Sequence, residues 1–202
     1  MTKSSVVTPT ITTDSPSAYS EQLKVIEGFS DGVHLDCADG EFAPTKLLPL
    51  NQTPLSEKLI THVHFMYQNP GNFIDDLIAI GADLVILHAE SIGVKQALGT
   101  LQDNGVRTGI ALLPDTHVDV LADFAEDELF DHVLLFQGRL GHQGGEANLD
   151  GLEKARSIAA QYPDVEIGWD GGINDENIQE IINAGVSVLN VGGYIKNADD
   201  PQ

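Results

Sequence analysis

The sequence is poor in several features, and each shortage excludes a class of protein. A single cysteine, Cys37, excludes an internal disulfide and any metal site built from several thiolates, which is usual in a reducing compartment. No apolar run approaches the roughly 18 residues that a membrane span requires. Residues 1–13 also lack the basic start, apolar middle and cleavage site of a signal peptide. We therefore expect a cytoplasmic protein without a membrane partner.

Positively charged side chains are scarce as well. The chain has 10 Lys and Arg against 31 Asp and Glu, for a formal net charge of −21. A field of this sign repels nucleic acid and anionic membrane surfaces, so neither is an expected partner. An anionic small molecule is still compatible with the sequence, because solvent screens exposed charge and backbone N–H groups at helix starts can hold an anion. The charge therefore limits the partners without indicating a reaction.

The sequence does contain a regular alternation of short β-branched or apolar runs with longer stretches of helical period. This alternation predicts parallel strands joined by helices, which is an α/β fold. The predicted strands are Val6–Thr12, Gly32–Asp39, Ile60–Tyr67, Ala82–Glu90, Arg107–Pro114, His132–Gln137, Glu166–Gly172 and Ser187–Gly193. Helices are predicted near 17–29, 54–59, 70–80, 91–104, 117–128, 148–162 and 174–184.

Eight strands in 202 residues favour a closed (β/α)8 TIM barrel over an open doubly wound sheet, which more often has about five or six strands. No linker rich in Pro, Gly or Ser divides the chain, so we expect one barrel domain over residues 1–202. An eighth helix is due near residues 199–202, so we expect the barrel to lack its last helix or another subunit to cover the gap. This uncovered flank predicts a homo-oligomer.

Polar side chains gather at predicted strand ends that face the mouth of such a barrel. Alternate residues of a barrel strand point inward, which places His34 and Asp36 on the inward face of strand two. The same rule turns His62 and His64 inward from strand three, and Asp170 ends an otherwise apolar strand seven. Each residue alone is more typical of a structural role. Converging on one mouth, two imidazoles and two carboxylates predict a site for Zn²⁺ or a similar ion of Mn, Fe or Co.

Neighbouring side chains receive other interpretations. His62 lies one pleat deeper than His64, so we expect it to hydrogen-bond within the barrel and exclude it as a ligand. His88 and Glu90 end strand four with the same parity, and we predict that they support the cluster without binding the ion directly. Cys37 falls on the outer face of its strand and is predicted to be a small core residue beneath a helix.

Glycine-rich segments follow the last three predicted strands. They are Gly138-Arg139-Leu140-Gly141-His142-Gln143-Gly144-Gly145, Asp170-Gly171-Gly172-Ile173-Asn174 and Val191-Gly192-Gly193-Tyr194. In a (β/α)8 barrel these adjacent strand ends commonly hold a phosphate group through loop N–H groups. The alternative for any one loop is a tight turn that needs glycine for a positive φ. Three adjacent loops of this kind favour a phosphate site.

In these segments the sequence resembles the ribulose-phosphate 3-epimerase family, and the resemblance covers nearly the whole chain. Val33-His34-Leu35-Asp36, with Asp39-Gly40-Glu41-Phe42-Ala43-Pro44, is similar to the family's HLDxMDGxFVPN segment. Val63-His64-Phe65-Met66 resembles its DVHLM, and Asp170-Gly171-Gly172-Ile173-Asn174 resembles its VDGGIN. Leu87-His88-Ala89-Glu90 and Ala111-Leu112-Leu113-Pro114-Asp115-Thr116 are similar to its FHxEA and ALNPAT.

The resemblance implies a TIM barrel of the ribulose-phosphate-binding type and an isomerase that inverts C3 of a phosphorylated ketose, converting D-ribulose 5-phosphate to D-xylulose 5-phosphate. It also implies one divalent metal ion per subunit, with the ligands His34, Asp36, His64 and Asp170. Asp36 and Asp170 are then the acid and base that invert the carbon through an enediolate, exchanging roles with the direction of reaction. The expected substrate contacts are Thr10, His64, Met66, Gly141, Gly144, Gly171, Gly172, Gly192 and Gly193.

The sequence departs from the family pattern at several positions. Ala38 replaces a methionine, His62 replaces the aspartate of DVHLM, and Gly193 replaces a serine. Residues 138–145 replace the family's NPGFGGQ loop. Two alternatives therefore stay open: an epimerase for another phosphoketose, such as a hexulose 6-phosphate, and a metal- or phosphate-binding paralogue without activity. Hexulose-phosphate decarboxylases and aldolase-type synthases are disfavoured, because residues 33–36 contain no lysine of the Asp-x-Lys-x-x-Asp pattern.

Overall fold

The computed structural model of the chain describes residues 5–142 and 144–193, which form a closed barrel of eight parallel strands. Each strand pairs with the next along the chain, and the last pairs with the first. The strands are β1 (Val6–Ile11), β2 (Gly32–Ala38), β3 (Ile60–Met66), β4 (Leu84–His88), β5 (Thr108–Leu112), β6 (His132–Phe136), β7 (Glu166–Asp170) and β8 (Val188–Val191). The α-helices of the described residues are α1 (Pro16–Ile26), α2 (Ile74–Ala79), α3 (Val94–Asp103), α4 (Ala122–Ala125), α5 (Gly151–Gln161) and α6 (Ile178–Asn183). The predicted TIM-barrel fold is confirmed.

The apolar layer between the barrel and its helices follows from the alternation along the strands. On β2, Val33 and Leu35 are buried in a cluster with Tyr19 and Ile26 of α1. Cys37 continues the same face of β2 and lies in the larger apolar cluster of the molecule, which confirms the prediction that it is a core residue. Complete burial of an aliphatic side chain contributes roughly 1.5–3 kcal/mol, so this layer is the main source of stability.

The connection between β2 and β3 contradicts one prediction. The helix expected over residues 54–59 is absent from the described structure, which has a 3₁₀ turn at Leu50–Gln52 instead. The carbonyl oxygen of Pro54 accepts a hydrogen bond from the Tyr19 hydroxyl of α1 at 2.9 Å, so a tertiary contact replaces a helical one. A helix of six residues is marginal on its own, so tertiary contacts decide whether it forms. Over the described residues the chain therefore has six α-helices where the sequence predicted seven.

Other helix boundaries also shift. Pro70–Phe73 forms a 3₁₀ turn before α2, and Val118–Leu121 forms one before α4. The helix due after β8 falls in residues 194–202, which lie outside the described residues, so the missing last helix stays a prediction. The single domain over 1–202, the homo-oligomer and the cytoplasmic location stay predictions as well. Among the described helices, none has the length and apolar character needed to cross a membrane.

Four ionisable side chains form a network at the amino end of the barrel. His132, the first residue of β6, lies 2.8 Å from Glu166 at the start of β7, measured from Nδ1 to Oε2. Arg107 contacts the same Glu166 oxygen at 2.9 Å and Asp131 at 2.9 Å. Hydrogen bonding from His132, supported by Arg107, outweighs partial burial and lowers the pKa of Glu166 from 4.5 to about 2. The His132–Glu166 contact is called the basal pair below.

The basal pair predicts that the stability of the chain is sensitive to acid. Because the pKa of Glu166 is lower in the folded chain than in the unfolded chain, the unfolded chain takes up this proton first as the pH falls. The contribution of Glu166 is complete above its ordinary pKa of 4.5 and is lost as the pH falls toward about 2. We expect the difference in the free energy of unfolding between wild type and Glu166→Gln, measured by urea denaturation, to shrink over this range. A difference independent of pH would contradict the pairing.

Candidate active site and metal centre

Three strand ends bring imidazole and carboxyl side chains together at the carboxyl end of the barrel. They belong to His34 and Asp36 of β2, His64 of β3 and Asp170 at the end of β7. One ligand atom of each side chain lies within 4.8 Å of the ligand atoms of all the others. All four residues are buried. The structure thus joins the four predicted ligands in one group, called the His–Asp cluster below.

The pairing of β2 with β3 sets the geometry of the cluster. Asp36 lies opposite His64 in register, and His34 lies opposite His62, one pleat deeper. His64 Nδ1 is 3.0 Å from Asp36 Oδ1 and 3.8 Å from Asp170 Oδ2. His34 Nε2 is 3.5 Å from Asp36 Oδ1 and 3.7 Å from Asp170 Oδ2. These four atoms surround a common point, and His62 is not part of the group.

Two of the four ligand atoms make no hydrogen bond within the described part of the protein. His34 Nε2 and Asp170 Oδ2 are buried and find no hydrogen-bond partner among the described residues. A buried unsatisfied polar atom costs roughly 1–3 kcal/mol, so a divalent cation at the common point would remove two such penalties. Two imidazole nitrogens and two carboxylate oxygens suit Zn²⁺ and ions of Mn, Fe or Co. The cluster therefore fits a metal ion.

Electrostatic interactions within the cluster distinguish its two carboxyl groups. Burial opposes ionisation of Asp36, but the His34 and His64 imidazoles outweigh it and hold the pKa of Asp36 below its ordinary value. Burial, and then the negative charge of Asp36, raises the pKa of Asp170 well above its ordinary value. In the absence of a bound cation, one carboxyl group thus favours the ionised form and the other the protonated form. This arrangement suits a site in which one group removes a proton and the other supplies one.

Sequence analysis missed two polar side chains beside the cluster. Thr12 follows β1 and donates a hydrogen bond from Oγ1 to Asp36 Oδ2 at 2.6 Å. Asn190 of β8 lies opposite Asp170 in register, is 2% exposed, and has no partner for either amide atom within the described residues. An inward-facing Asn in an apolar strand was a usable signal for Asn190. For Thr12 the only signal was its spacing of two residues from Thr10.

The predicted substrate residues outside the glycine loops also lie near the barrel mouth. Thr10 is buried and lies opposite His34 in register. Met66 is buried beside Ala38 and Leu47 in a small apolar cluster. This cluster forms an apolar wall at the carboxyl ends of β2 and β3. Substrate contact by Thr10 and Met66 stays a prediction.

The three glycine loops pack closely against one another next to Asp170. A Cβ atom on Gly171 would lie 2.2 Å from Gly138 N, and one on Gly193 would lie 2.9 Å from Gly144 Cα. These glycines are therefore required for the packing of the loops, whatever they bind. A cleft of about 570 Å³ opens beside the loop after β6, and its lining includes Arg139 and His142. Phosphate contact by Gly141, Gly144, Gly171, Gly172, Gly192 and Gly193 stays a prediction.

Replacing Gly171 by alanine should destabilise the chain strongly. Gly171 has a φ of +118°, and the added methyl group would meet backbone atoms of Gly138, which cannot turn away as a flexible side chain could. Overpacking costs about 1–3 kcal/mol, and the strained backbone adds roughly 1–3 kcal/mol. Gly81→Ala is the matched control, because Gly81 has a φ of +72° and open space around its Cβ position. Urea denaturation should show the larger loss of unfolding free energy for Gly171→Ala, and equal losses would contradict the close contact.

Comparisons with known proteins indicate a family for the chain. Residues 6–196 match the sequence model described as the Ribulose-phosphate 3 epimerase family. The ribulose-phosphate 3-epimerase of Bacillus subtilis is 28% identical over 210 residues, covering 96% of this chain and 93% of that protein. The enzyme of that name from Chlamydia pneumoniae is 30% identical over 192 residues, covering 89% of this chain and 82% of that protein. The crystal structure of 3-keto-L-gulonate-6-phosphate decarboxylase from Vibrio cholerae matches with a TM-score of 0.75 at 13% identity. The match covers 100% of this chain and 94% of that one, and it supports the fold alone.

Proposed function

The chain belongs to the ribulose-phosphate 3-epimerase family, and we propose that it inverts C3 of a phosphorylated ketose, converting D-ribulose 5-phosphate to D-xylulose 5-phosphate. Relatives with the family name are isomerases acting on carbohydrates. The His–Asp cluster carries the proposal, because its two carboxyl groups and two imidazoles lie within 4.8 Å of one another, measured between ligand atoms. Such a set suits proton transfer at a carbon beside a carbonyl group.

The two carboxyl groups divide the proton transfers between them. Inversion at the carbon beside a ketone removes a proton from one face and returns a proton to the other, through an enediolate. Asp36 comes from β2 and Asp170 from β7, with β1 and β8 between them, so the two groups approach a bound substrate from different sides. Thr12 fixes the second oxygen of Asp36 through its 2.6 Å hydrogen bond. In the reverse reaction the two aspartates exchange roles.

One divalent metal ion per subunit completes the site, with His34, Asp36, His64 and Asp170 as ligands and Zn²⁺ as the preferred ion. When bound, this ion stabilises the negative charge that develops on the substrate oxygens. Burial lowers the pKa of His34, which keeps its imidazole neutral and its lone pair available to a cation. Ions of Mn, Fe or Co fit the same donor set.

The phosphate group of the substrate is assigned to the glycine loops after β6, β7 and β8. A chain with a net charge of −21 offers no general attraction to an anion, so local donors must supply it. Backbone N–H groups of such loops are suitable donors. Arg139 adds a positive charge to the wall of the neighbouring cleft.

The same chemistry on another phosphoketose is the second candidate function. Arg139 and His142 line the cleft beside the loop after β6, whereas the family's NPGFGGQ loop contains neither residue type. Side chains at this position change the space and charge available to the phosphorylated end of a sugar. A hexulose 6-phosphate is the alternative substrate that we would test first.

The test is the incubation of the purified protein with D-ribulose 5-phosphate in deuterated buffer. Formation of D-xylulose 5-phosphate with deuterium at C3 would support the proposed reaction. Turnover of a hexulose 6-phosphate alone would favour the second candidate. Metal binding without proton exchange into any phosphoketose would overturn the enzymatic proposal and favour a binding paralogue.

A further inference from the structure

A row of hydrogen bonds leads from His64 away from the His–Asp cluster. His64 Nε2 lies 2.8 Å from His88 Nε2, and His88 Nδ1 lies 3.2 Å from Glu90 Oε2. The other ring nitrogen of His64, Nδ1, faces Asp36 Oδ1 at 3.0 Å. Both imidazoles are fully buried. Each ring therefore meets a different partner at each of its two nitrogens.

With a metal ion bound at the cluster, these contacts determine where the ring protons lie. A nitrogen that binds a metal must offer a lone pair, so His64 Nδ1, which faces the cluster, carries no proton and Nε2 carries one. The Nε2–H group of His64 then donates to His88 Nε2, which must be unprotonated. His88 consequently carries its proton on Nδ1 and donates it to the Glu90 carboxylate. One consistent arrangement of protons thus connects the cluster to Glu90.

The carboxylate oxygen of Glu90 that does not face His88 is held by further hydrogen bonds. This Oε1 atom accepts hydrogen bonds from the backbone N–H of Leu113 at 3.0 Å and from the Thr116 hydroxyl. Lys154 of α5 donates from Nζ to the carbonyl oxygens of Leu113 at 3.0 Å, of Thr116 at 2.6 Å and of Pro114. The loop that holds Glu90 is therefore tied to a helix. The carboxylate has a fixed position at the end of the row.

The ring of His88 is held by packing as well as by hydrogen bonds. The Phe42 ring centroid lies 4.6 Å from that of His88, and the Phe136 ring centroid lies 5.8 Å from that of His64. Aromatic neighbours at these distances limit rotation of the imidazoles. Side-chain packing and hydrogen bonding thus favour the same ring orientations.

We propose that His88 and Glu90 are positioning residues that hold His64 with Nδ1 turned toward the metal ion. The proposal rests on the metal site of the proposed function. Fixing the orientation and tautomer of His64 in advance reduces the ordering that metal binding requires. The hydrogen bond from Nε2–H to His88 also makes Nδ1 a stronger electron-pair donor to the metal ion. Loss of a partner of this kind lowers metal affinity about 10- to 100-fold.

The test is the affinity of the full chain for Zn²⁺, measured by competition with a chromogenic chelator. Glu90→Gln and His88→Phe should each weaken binding about 10- to 100-fold. Glu166→Gln is the matched control, because Glu166 holds the buried His132 in the same way, at 2.8 Å, at the opposite end of the barrel. We expect this control to bind Zn²⁺ as wild type does. Wild-type affinity in Glu90→Gln, or an equal loss in Glu166→Gln, would overturn the proposal.

A second measurement on the wild type does not depend on the folding of any variant. Imidazole ¹⁵N chemical shifts of the Zn²⁺-loaded protein should show an unprotonated Nδ1 on His64 and a protonated Nδ1 on His88. A proton on Nε2 of His88 would overturn the positioning role while leaving the metal site intact. A proton on Nδ1 of His64 would show that this atom is not a ligand, and would overturn both the positioning role and the proposed ligand set. Failure of the wild type to bind Zn²⁺ would instead overturn the metal site of the proposed function, and the positioning role with it.

Discussion

Asp170→Asn should reduce the conversion of D-ribulose 5-phosphate by about 10²- to 10⁴-fold, the contribution of a positioned acid or base. Asparagine keeps the shape of the side chain, but its amide can neither remove a proton from the substrate nor deliver one. Asp170 is buried at the end of β7 and belongs to the His–Asp cluster, so no neighbouring solvent-exposed group can replace it. The measurement is the initial rate at saturating substrate, with the metal content of each preparation determined in parallel.

Deuterium exchange at C3 tests the roles of Asp36 and Asp170 separately. If Asp36 and Asp170 serve opposite faces, Asp170→Asn should still exchange the C3 proton of one epimer through Asp36, and Asp36→Asn should exchange only that of the other epimer. Asp164→Asn is the matched control, because Asp164 is an exposed aspartate that precedes the amino end of β7. Its rate should equal that of the wild type. A rate for Asp170→Asn within a few-fold of wild type would contradict the assigned role.

Removal of the metal ion should abolish most of the turnover, and its return should restore it. A metal ion supplies several kcal/mol of charge stabilisation in the transition state, which corresponds to at least about 100-fold in rate. His34 Nε2 and Asp170 Oδ2 lack hydrogen-bond partners among the described residues, which therefore offer no substitute for the cation at these atoms. The measurement is the rate after dialysis against a chelator and after titration with Zn²⁺, Mn²⁺, Fe²⁺ or Co²⁺.

Two controls separate loss of the metal from loss of the fold. The chelator saturated with Zn²⁺ beforehand should leave the rate unchanged. The melting temperature should rise when Zn²⁺ is added to the stripped wild type, because a ligand that binds only the folded chain stabilises it. Full activity in a preparation that contains no metal would exclude a role for the cation.

The fold and the His–Asp cluster were accessible from local sequence pattern. Alternating residues of a strand point to opposite faces, so parity alone turned His34, Asp36 and His64 inward and sent Cys37 outward. Parallel strands with helical connections bring their carboxyl ends to one side of a barrel, so Asp170 could be grouped with residues more than a hundred positions away. Helix 54–59 was wrong because tertiary contacts, here the Tyr19–Pro54 hydrogen bond, decide whether so short a helix forms, and local pattern does not contain them.

The sequence by itself therefore determined the barrel, the inward faces of its strands and the identity of the four cluster residues, because all three depend on the period of a strand and on chain topology. Strand parity also predicted that His88 and Glu90 support the cluster. Tertiary structure alone decided that Thr12 binds Asp36, that His88 contacts His64 directly, and that Lys154 fixes the loop behind Glu90. These contacts depend on the directions of particular side chains across separate loops, and the spacing of residues along the chain carries no information about such directions.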